Sequence, residues 1–153
     1  MKNFYIGKIN SLENATLNGV DDPKFENHII ICGIVPGMRH LLLPLRTRSL
    51  KTIHPVIILY SDPMPTNIWK QINRFPKVHF MQGSPYKLQD LDKACIQKAL
   101  AVIILSKHTD QDSSNTTMAD ADTIFIYKTI KSCNPNIRII TELSKTPLRT
   151  ILC

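Results

Sequence analysis

The sequence predicts an α/β fold, a doubly wound and mainly parallel sheet of about five strands with helices on both faces. Three observations predict it. Short apolar runs bounded by glycine or turn residues recur along the chain, and such runs mark strands buried on both faces. They alternate with stretches of helical hydrophobic spacing. The 153 residues, 43% of them hydrophobic, suit one domain with its own core.

Residues 1–26 are polar, hold Gly19, Pro23 and the acidic pair Asp21 and Asp22, and carry no sustained period. They read as a linker or arm. His28-Ile-Ile-Ile-Cys-Gly33 predicts the first strand. Pro36 suits the first turn of a helix, where its missing N–H costs nothing. That helix is expected to run to about Leu50, kinked or interrupted at Pro44. Val56-Ile-Ile-Leu-Tyr60 predicts a second strand, closed by Ser61-Asp62-Pro63. Ile68, Trp69, Ile72 and Phe75 fall at helical spacing within residues 67–75.

Lys77-Val-His-Phe-Met81 alternates as a third strand before Gly83, with His79 expected on its polar or partner-facing side. Leu88, Leu91, Ala94 and Cys95 form the next helical face. Ala101-Val-Ile-Ile-Leu105 is a fourth strand, and residues 106–116 are a long polar loop. Residues 118–132 read as a helix broken by Asn134-Pro135, and Ile137-Arg-Ile-Ile-Thr141 is a fifth strand. Strands alternating with helices make βαβ units, and right-handed crossovers then favour a Rossmann-like sheet. The lobe is expected over residues 27–144, with a tail at 145–153 and the chain a piece of a larger protein.

Composition narrows the function classes. No stretch approaches the roughly 18 uninterrupted apolar residues of a membrane helix, and the opening residues carry no signal-peptide pattern. Cys32, Cys95, Cys133 and Cys153 are far apart, with no C-x-x-C pair, so free thiols are expected. The net charge of +7 is compatible with nucleic acid. However, basic residues cluster only at Arg39, Arg46, Arg48 and Lys51 and are otherwise scattered. Aromatics make up 7% of residues and form no stacking platform. A solvated or partner-facing surface is the reading, with no nucleic acid.

The turn after the first strand, Gly33-Ile-Val-Pro-Gly37, is where a dinucleotide fold holds its G-x-G-x-x-G. Laid from Gly33, the second glycine position holds Val35 and the third Met38. A branched side chain there obstructs the pyrophosphate, and Pro36 removes an N–H from the phosphate cradle. Gly33 and Gly37 are thus a vestigial turn, and no cofactor is expected. Asp62 stands near where an acid would hold a ribose, but in an ordinary turn sequence.

No P-loop, H-E-x-x-H or G-x-S-x-G occurs, and the five histidines are isolated, so no catalytic residue is assigned. Asp110, Asp112, Asp120 and Asp122 form the densest acidic region. Asp110, Asp112 and Asp120 are the candidate metal ligands. The competing reading makes Asp120 and Asp122 first-turn helix acids, with Thr117 as a cap. Ile124, Phe125, Ile126, Tyr127 and Ile130 wrap more of that helix in apolar side chains than one sheet-facing stripe needs. Phe125, Tyr127 and Ile130 are therefore expected at an interface.

Several stretches resemble the second RCK (regulator of K⁺ conductance) domain of Slo-type potassium channels. They are Asn27-His-Ile-Ile-Ile-Cys-Gly33, Leu43-Pro-Leu-Arg46, Phe75-Pro-Lys-Val78, Gly83-Ser-Pro85 and Ile139-Ile-Thr-Glu-Leu143. Met118-Ala-Asp-Ala-Asp-Thr123 is similar to the sodium-activated branch. The resemblance implies a Rossmann-like lobe on the cytoplasmic side of a membrane, within a gating ring of a homotetramer. Its partners would be other RCK domains and a transmembrane pore, and Ca²⁺ or Na⁺ would be the regulatory ligand. The acidic bowl of the calcium-activated branch has no counterpart, because residues 144–153 contain no acid. The alternative is a nucleotide sensor or NAD-dependent enzyme on the same fold.

Overall fold

Five parallel strands and one antiparallel edge strand make a single sheet in the order β1-β4-β3-β2-β5-β6. The strands are β1 (Gly7–Lys8), β2 (Ile29–Cys32), β3 (Val56–Tyr60), β4 (Val78–Gln82), β5 (Ala101–Ile104) and β6 (Arg138–Thr141). The structure is a computed structural model and describes residues 7–8, 25–46, 52–106 and 116–141. β2 pairs in parallel with both β3 and β5, Ile30 lying beside Ile57 on one side and Val102 on the other. The strand order reverses at that point, as the doubly wound expectation requires. Within the segment read as an arm, Gly7 and Lys8 pair antiparallel with Phe80 and His79 and cover the outer edge of β4.

The apolar runs have a physical cause. Ile29 and Ile31 enter a core layer built with α1 (Met38–Leu42) and α2 (Thr66–Ile72). Ile30 and Cys32 enter the opposite layer, with α3 (Leu88–Lys93) and α4 (Thr116–Cys133). A strand covered on both faces loses the polar alternation of a half-exposed one.

Helix boundaries depart from expectation where proline acts. The first helix begins at Met38, two residues after Pro36, because Val35 and Met38 close a turn first (Met38 N–H to Val35 O, 3.1 Å). It ends after Leu42, since Pro44 has no N–H to give, and the chain tightens into a 3₁₀ turn at Pro44–Arg46. The Arg46 guanidinium fixes that turn by donating to the carbonyls of Pro76 (2.8 Å), Lys77 (3.2 Å) and Leu45 (2.8 Å).

α2 stops at Ile72, and Asn73–Phe75 form a turn before Pro76 (Phe75 N–H to Ile72 O, 3.1 Å). Cys95 does not extend α3. Its φ of 54° breaks the helix and starts a 3₁₀ turn at Ile96–Lys98. Leu88 is exposed, leaving Leu91 and Ala94 to face the core. The long loop expected at 106–116 lies almost wholly outside the described residues.

Candidate functional site

Where strand order reverses, the carboxyl ends of β2, β3 and β5 part and leave a crevice on the α4 side of the sheet. Ligands of doubly wound folds bind at this switch point. Gly33 makes the opening possible. Its φ is 104°, its N–H donates to Leu59 O at 3.0 Å, and a Cβ there would lie 3.2 Å from Leu105 O. Gly37 is different, because a Cβ on it meets nothing closer than His40 Cδ2 at 4.0 Å. Of the two glycines of the vestigial turn, only Gly33 is required by the backbone.

The phosphate cradle is absent for two reasons. Pro36 has no N–H, and the amides of Met38 and His40 are spent on Val35 O and Gly37 O. α1 has only five residues, so little dipole accumulates behind the turn. The crevice itself encloses about 40 Å³, room for only a few waters. Ligand pockets for small molecules run to roughly 300–1,000 Å³.

Two tyrosine–aspartate pairs border it. Tyr60, at the end of β3, lies beside Asp62, the acid that would otherwise stand nearest a ribose. Tyr86, from the loop after β4, reaches across to Asp122 on α4. Both phenols are pushed above the usual tyrosine range, first by burial and then by the neighbouring carboxylate. The loop is fixed by Asp90, whose carboxylate accepts from Ser84 N–H at 2.9 Å. Gly83 leaves no room for a side chain there, since a Cβ would lie 3.0 Å from Leu59 Cδ1 and 3.2 Å from Asp90 Cβ. Cys32, also lining the crevice, is fully buried and its thiol is pushed up to about 12 by burial, so it stays protonated and unreactive at neutral pH.

The acidic candidates do not converge. Asp110 and Asp112 lie outside the described residues. Asp120 is wholly buried. Because α4 begins at Thr116, neither Asp120 nor Asp122 is a first-turn acid, which overturns the capping reading. Among the described residues no three His, Cys, Asp or Glu side chains come together as a metal site. Asp122, exposed, is engaged by Tyr86.

The interface candidates divide. Phe125 is 62% exposed on the outer side of α4. Tyr127 is half-buried against the core, with Lys131 Nζ 6.0 Å from its ring centre. Ile130 is fully buried with Ile126 and Val102. It follows Ile126 by one helical turn on the sheet-facing stripe, so it serves the lobe's own core and offers nothing to a partner.

At the opposite end of the sheet, His28 is wholly buried and its Nε2–H donates to Ala94 O at 2.8 Å. Burial holds its pKa below the ordinary histidine value. Phe25 packs between His28 and His79, with ring centres 5.7 and 5.0 Å away. The His79 ring therefore turns into the lobe and does not present a polar side to a partner. Sequence reading missed both the Tyr86–Asp122 contact and this histidine pair. The only signal for the first was a tyrosine directly after Gly83-Ser84-Pro85.

These features define a Rossmann-like α/β lobe in which the nucleotide fingerprint is obstructed and the switch point is nearly filled by side chains. Residues 24–141 match the family described as "Calcium-activated potassium channel slowpoke-like RCK domain", and the chain belongs to that family. Potassium channel subfamily T member 1 of Gallus gallus is 30% identical over 142 residues, covering 90% of this chain and 11% of that protein. The chain thus spans about a ninth of that relative's length. The human SLO3 gating ring superposes with a TM-score of 0.63 at 20% identity, over 82% of this chain and 20% of that one. The GsuK channel bound to NAD gives 0.61 at 19% identity, over 87% and 20%. The two structural likenesses establish the fold. Among the described residues no helix is long and apolar enough to cross a membrane.

Proposed function

We propose that this lobe is a cytosolic gating-ring module of a ligand-activated potassium channel, coupling ion binding and domain assembly to pore opening without catalysis of its own. The observation that carries this reading is the family match over residues 24–141. In the full-length protein the lobe would sit on the cytoplasmic side of the membrane, joined to other RCK domains and a pore in a homotetramer. Ca²⁺ or Na⁺ is the regulatory ligand. Buried Asp120 gives such an ion no open access, so its ligands come from Asp110, Asp112 or a neighbouring domain. Exposed Phe125, with the outer edge of Tyr127, is the contact through which α4 meets a neighbouring RCK domain.

A second reading, a nucleotide sensor, draws on the GsuK channel bound to NAD. The crevice of about 40 Å³ and the Pro36 turn argue against it here. Sedimentation of the 153-residue chain over a concentration series tests the assembly contact. Self-association that Phe125→Asp abolishes, with the thermal unfolding midpoint unchanged, is the expected result. Self-association that is unchanged by Phe125→Asp would remove α4 from the interface.

A further inference from the structure

We propose that the crevice at the switch point is a guanidinium site, opposite in charge to the phosphate-bearing ligands that this place in a doubly wound sheet ordinarily receives. The backbone around it offers an anion little. The Gly33 N–H is held by Leu59 O (3.0 Å), the Leu105 N–H by Cys32 O (3.0 Å) and the Gly83 N–H by Tyr60 O (2.9 Å). The Ser84 N–H is held by the Asp90 carboxylate (2.9 Å). The side chains are biased toward a cation. In a chain of net charge +7, no Lys, Arg or His stands among the described residues that line the crevice, and their one charged group is Asp122. Asp62 adds a second carboxylate beside Tyr60, on the β3 side.

The chemistry of the walls selects among cations. Leu59, Leu105 and Ile126 make an apolar floor, and Tyr60 and Tyr86 add two aromatic rings. A hard metal ion such as Ca²⁺ wants roughly six to eight oxygen ligands, which one carboxylate above an apolar floor does not supply. An ammonium is a strongly hydrated point charge and loses its water there at a cost. Guanidinium is weakly hydrated, stacks flat on aromatic rings and meets a carboxylate with a planar fork of donors. The volume of about 40 Å³ suits one such head group and is far too small for a nucleotide. The parts are in place before any ligand arrives. Tyr86, 45% exposed, rides on a loop fixed by Asp90 and reaches Asp122 on α4. Two sources carry this chemistry: a free guanidino compound, or an arginine side chain of a second copy of this lobe. Neither depends on the channel reading.

Titration of the 153-residue chain with ethylguanidinium chloride, at constant chloride and followed by amide NMR shifts, tests it. Saturable shifts at Gly33, Tyr86 and Asp122 with a millimolar dissociation constant are expected, the affinity of a lone head group. Ethylammonium should bind about threefold or more weaker, and sodium acetate should give no saturable shift at these amides. Asp122→Asn should weaken ethylguanidinium about fivefold or more, and Tyr86→Ala about threefold. Asp92→Asn, an exposed acid of α3 outside the crevice lining, should cost less than about twofold. No saturable shift by about 50 mM, equal affinity in Asp122→Asn, or ethylammonium binding as tightly would overturn the proposal. Sedimentation with and without ethylguanidinium then separates the sources. Loss of self-association assigns the head group to an arginine of a second copy, and unchanged sedimentation assigns it to a free guanidino compound. A failed titration while Phe125 still controls assembly would discard this site and leave the channel reading intact.

Discussion

Substituting alanine at the two glycines of the first turn should give opposite outcomes. Gly33 holds φ at 104°, a region that costs an L residue about 1–3 kcal/mol. Its added Cβ would also press against the Leu105 carbonyl at 3.2 Å and the Leu105 Cβ at 3.4 Å. That carbonyl belongs to backbone anchored at the end of β5 by the Leu105 N–H to Cys32 O bond of 3.0 Å. It can yield only by straining the sheet, which adds about 1 kcal/mol or more. Gly33→Ala should therefore lose roughly 2–4 kcal/mol.

Gly37 sits at φ −86° with open space where a Cβ would go. Gly37→Ala trades a small loss of helix capping against reduced freedom of the unfolded chain, and should stay within about 1 kcal/mol of zero. Urea unfolding measures both. With a slope of about 1–3 kcal/mol per molar, Gly33→Ala should lower the midpoint by about 1 M or more while Gly37→Ala leaves it nearly unmoved. Equal midpoints for the two variants would refute the claim that only Gly33 is sterically required.

Arg46→Ala removes three guanidinium–carbonyl bonds, two of which tie the 3₁₀ turn to Pro76 and Lys77 just before β4. It should cost about 1–3 kcal/mol in thermal or urea unfolding, with Lys at that position recovering less than half. His28 has a folded-state pKa below its unfolded value of 6.5, so the unfolded chain takes up a proton that the folded chain refuses. The stability this brings is complete above pH 6.5. It is lost as pH falls from there to the folded value, at up to about 1.4 kcal/mol per pH unit. Unfolding of wild type and His28→Gln across pH 5–8 should show the wild type losing more on acidification, and parallel curves would contradict it. NAD, NADP and ATP should show no saturable calorimetric binding at about 100 µM, and a micromolar dissociation constant for any of them would reopen the nucleotide reading. Thiol counting in denaturant without reductant should find four per chain, because Cys32, Cys95 and Cys133 form no disulfide among the described residues and the sequence offers Cys153 no pairing pattern.

Strands were legible because burial on both faces removes polar residues from β2, β3 and β5, and an apolar run has little else to mean at that length. Helix lengths were less so. Pro44 is expected to kink or interrupt a helix reaching Leu50, and in the structure it interrupts it, ending α1 after Leu42 because a five-residue helix has no further turns to bridge the missing donor. The obstructed phosphate turn could be read directly from Val35 and Pro36, because neighbouring residues build it. Contacts between distant segments could not be. Tyr86 and Asp122 meet only after α4 packs over the carboxyl end of β3. Arg39 and Lys70, 31 positions apart in sequence, share a surface only because α1 and α2 lie on one face of the sheet. Ile130 and Phe125 looked alike as apolar helix residues, and only the phase of α4 against the sheet separates the buried one from the exposed one.

Current recordings from the full-length protein carrying Phe125→Asp, beside a matched Lys128→Asp control on the same helix, test the gating-module reading most directly. Loss or a tenfold or greater rightward shift of ion-dependent opening in Phe125→Asp, with unitary conductance unchanged and the control near wild type, is the expected result. Wild-type ion dependence in Phe125→Asp would contradict a gating role for α4.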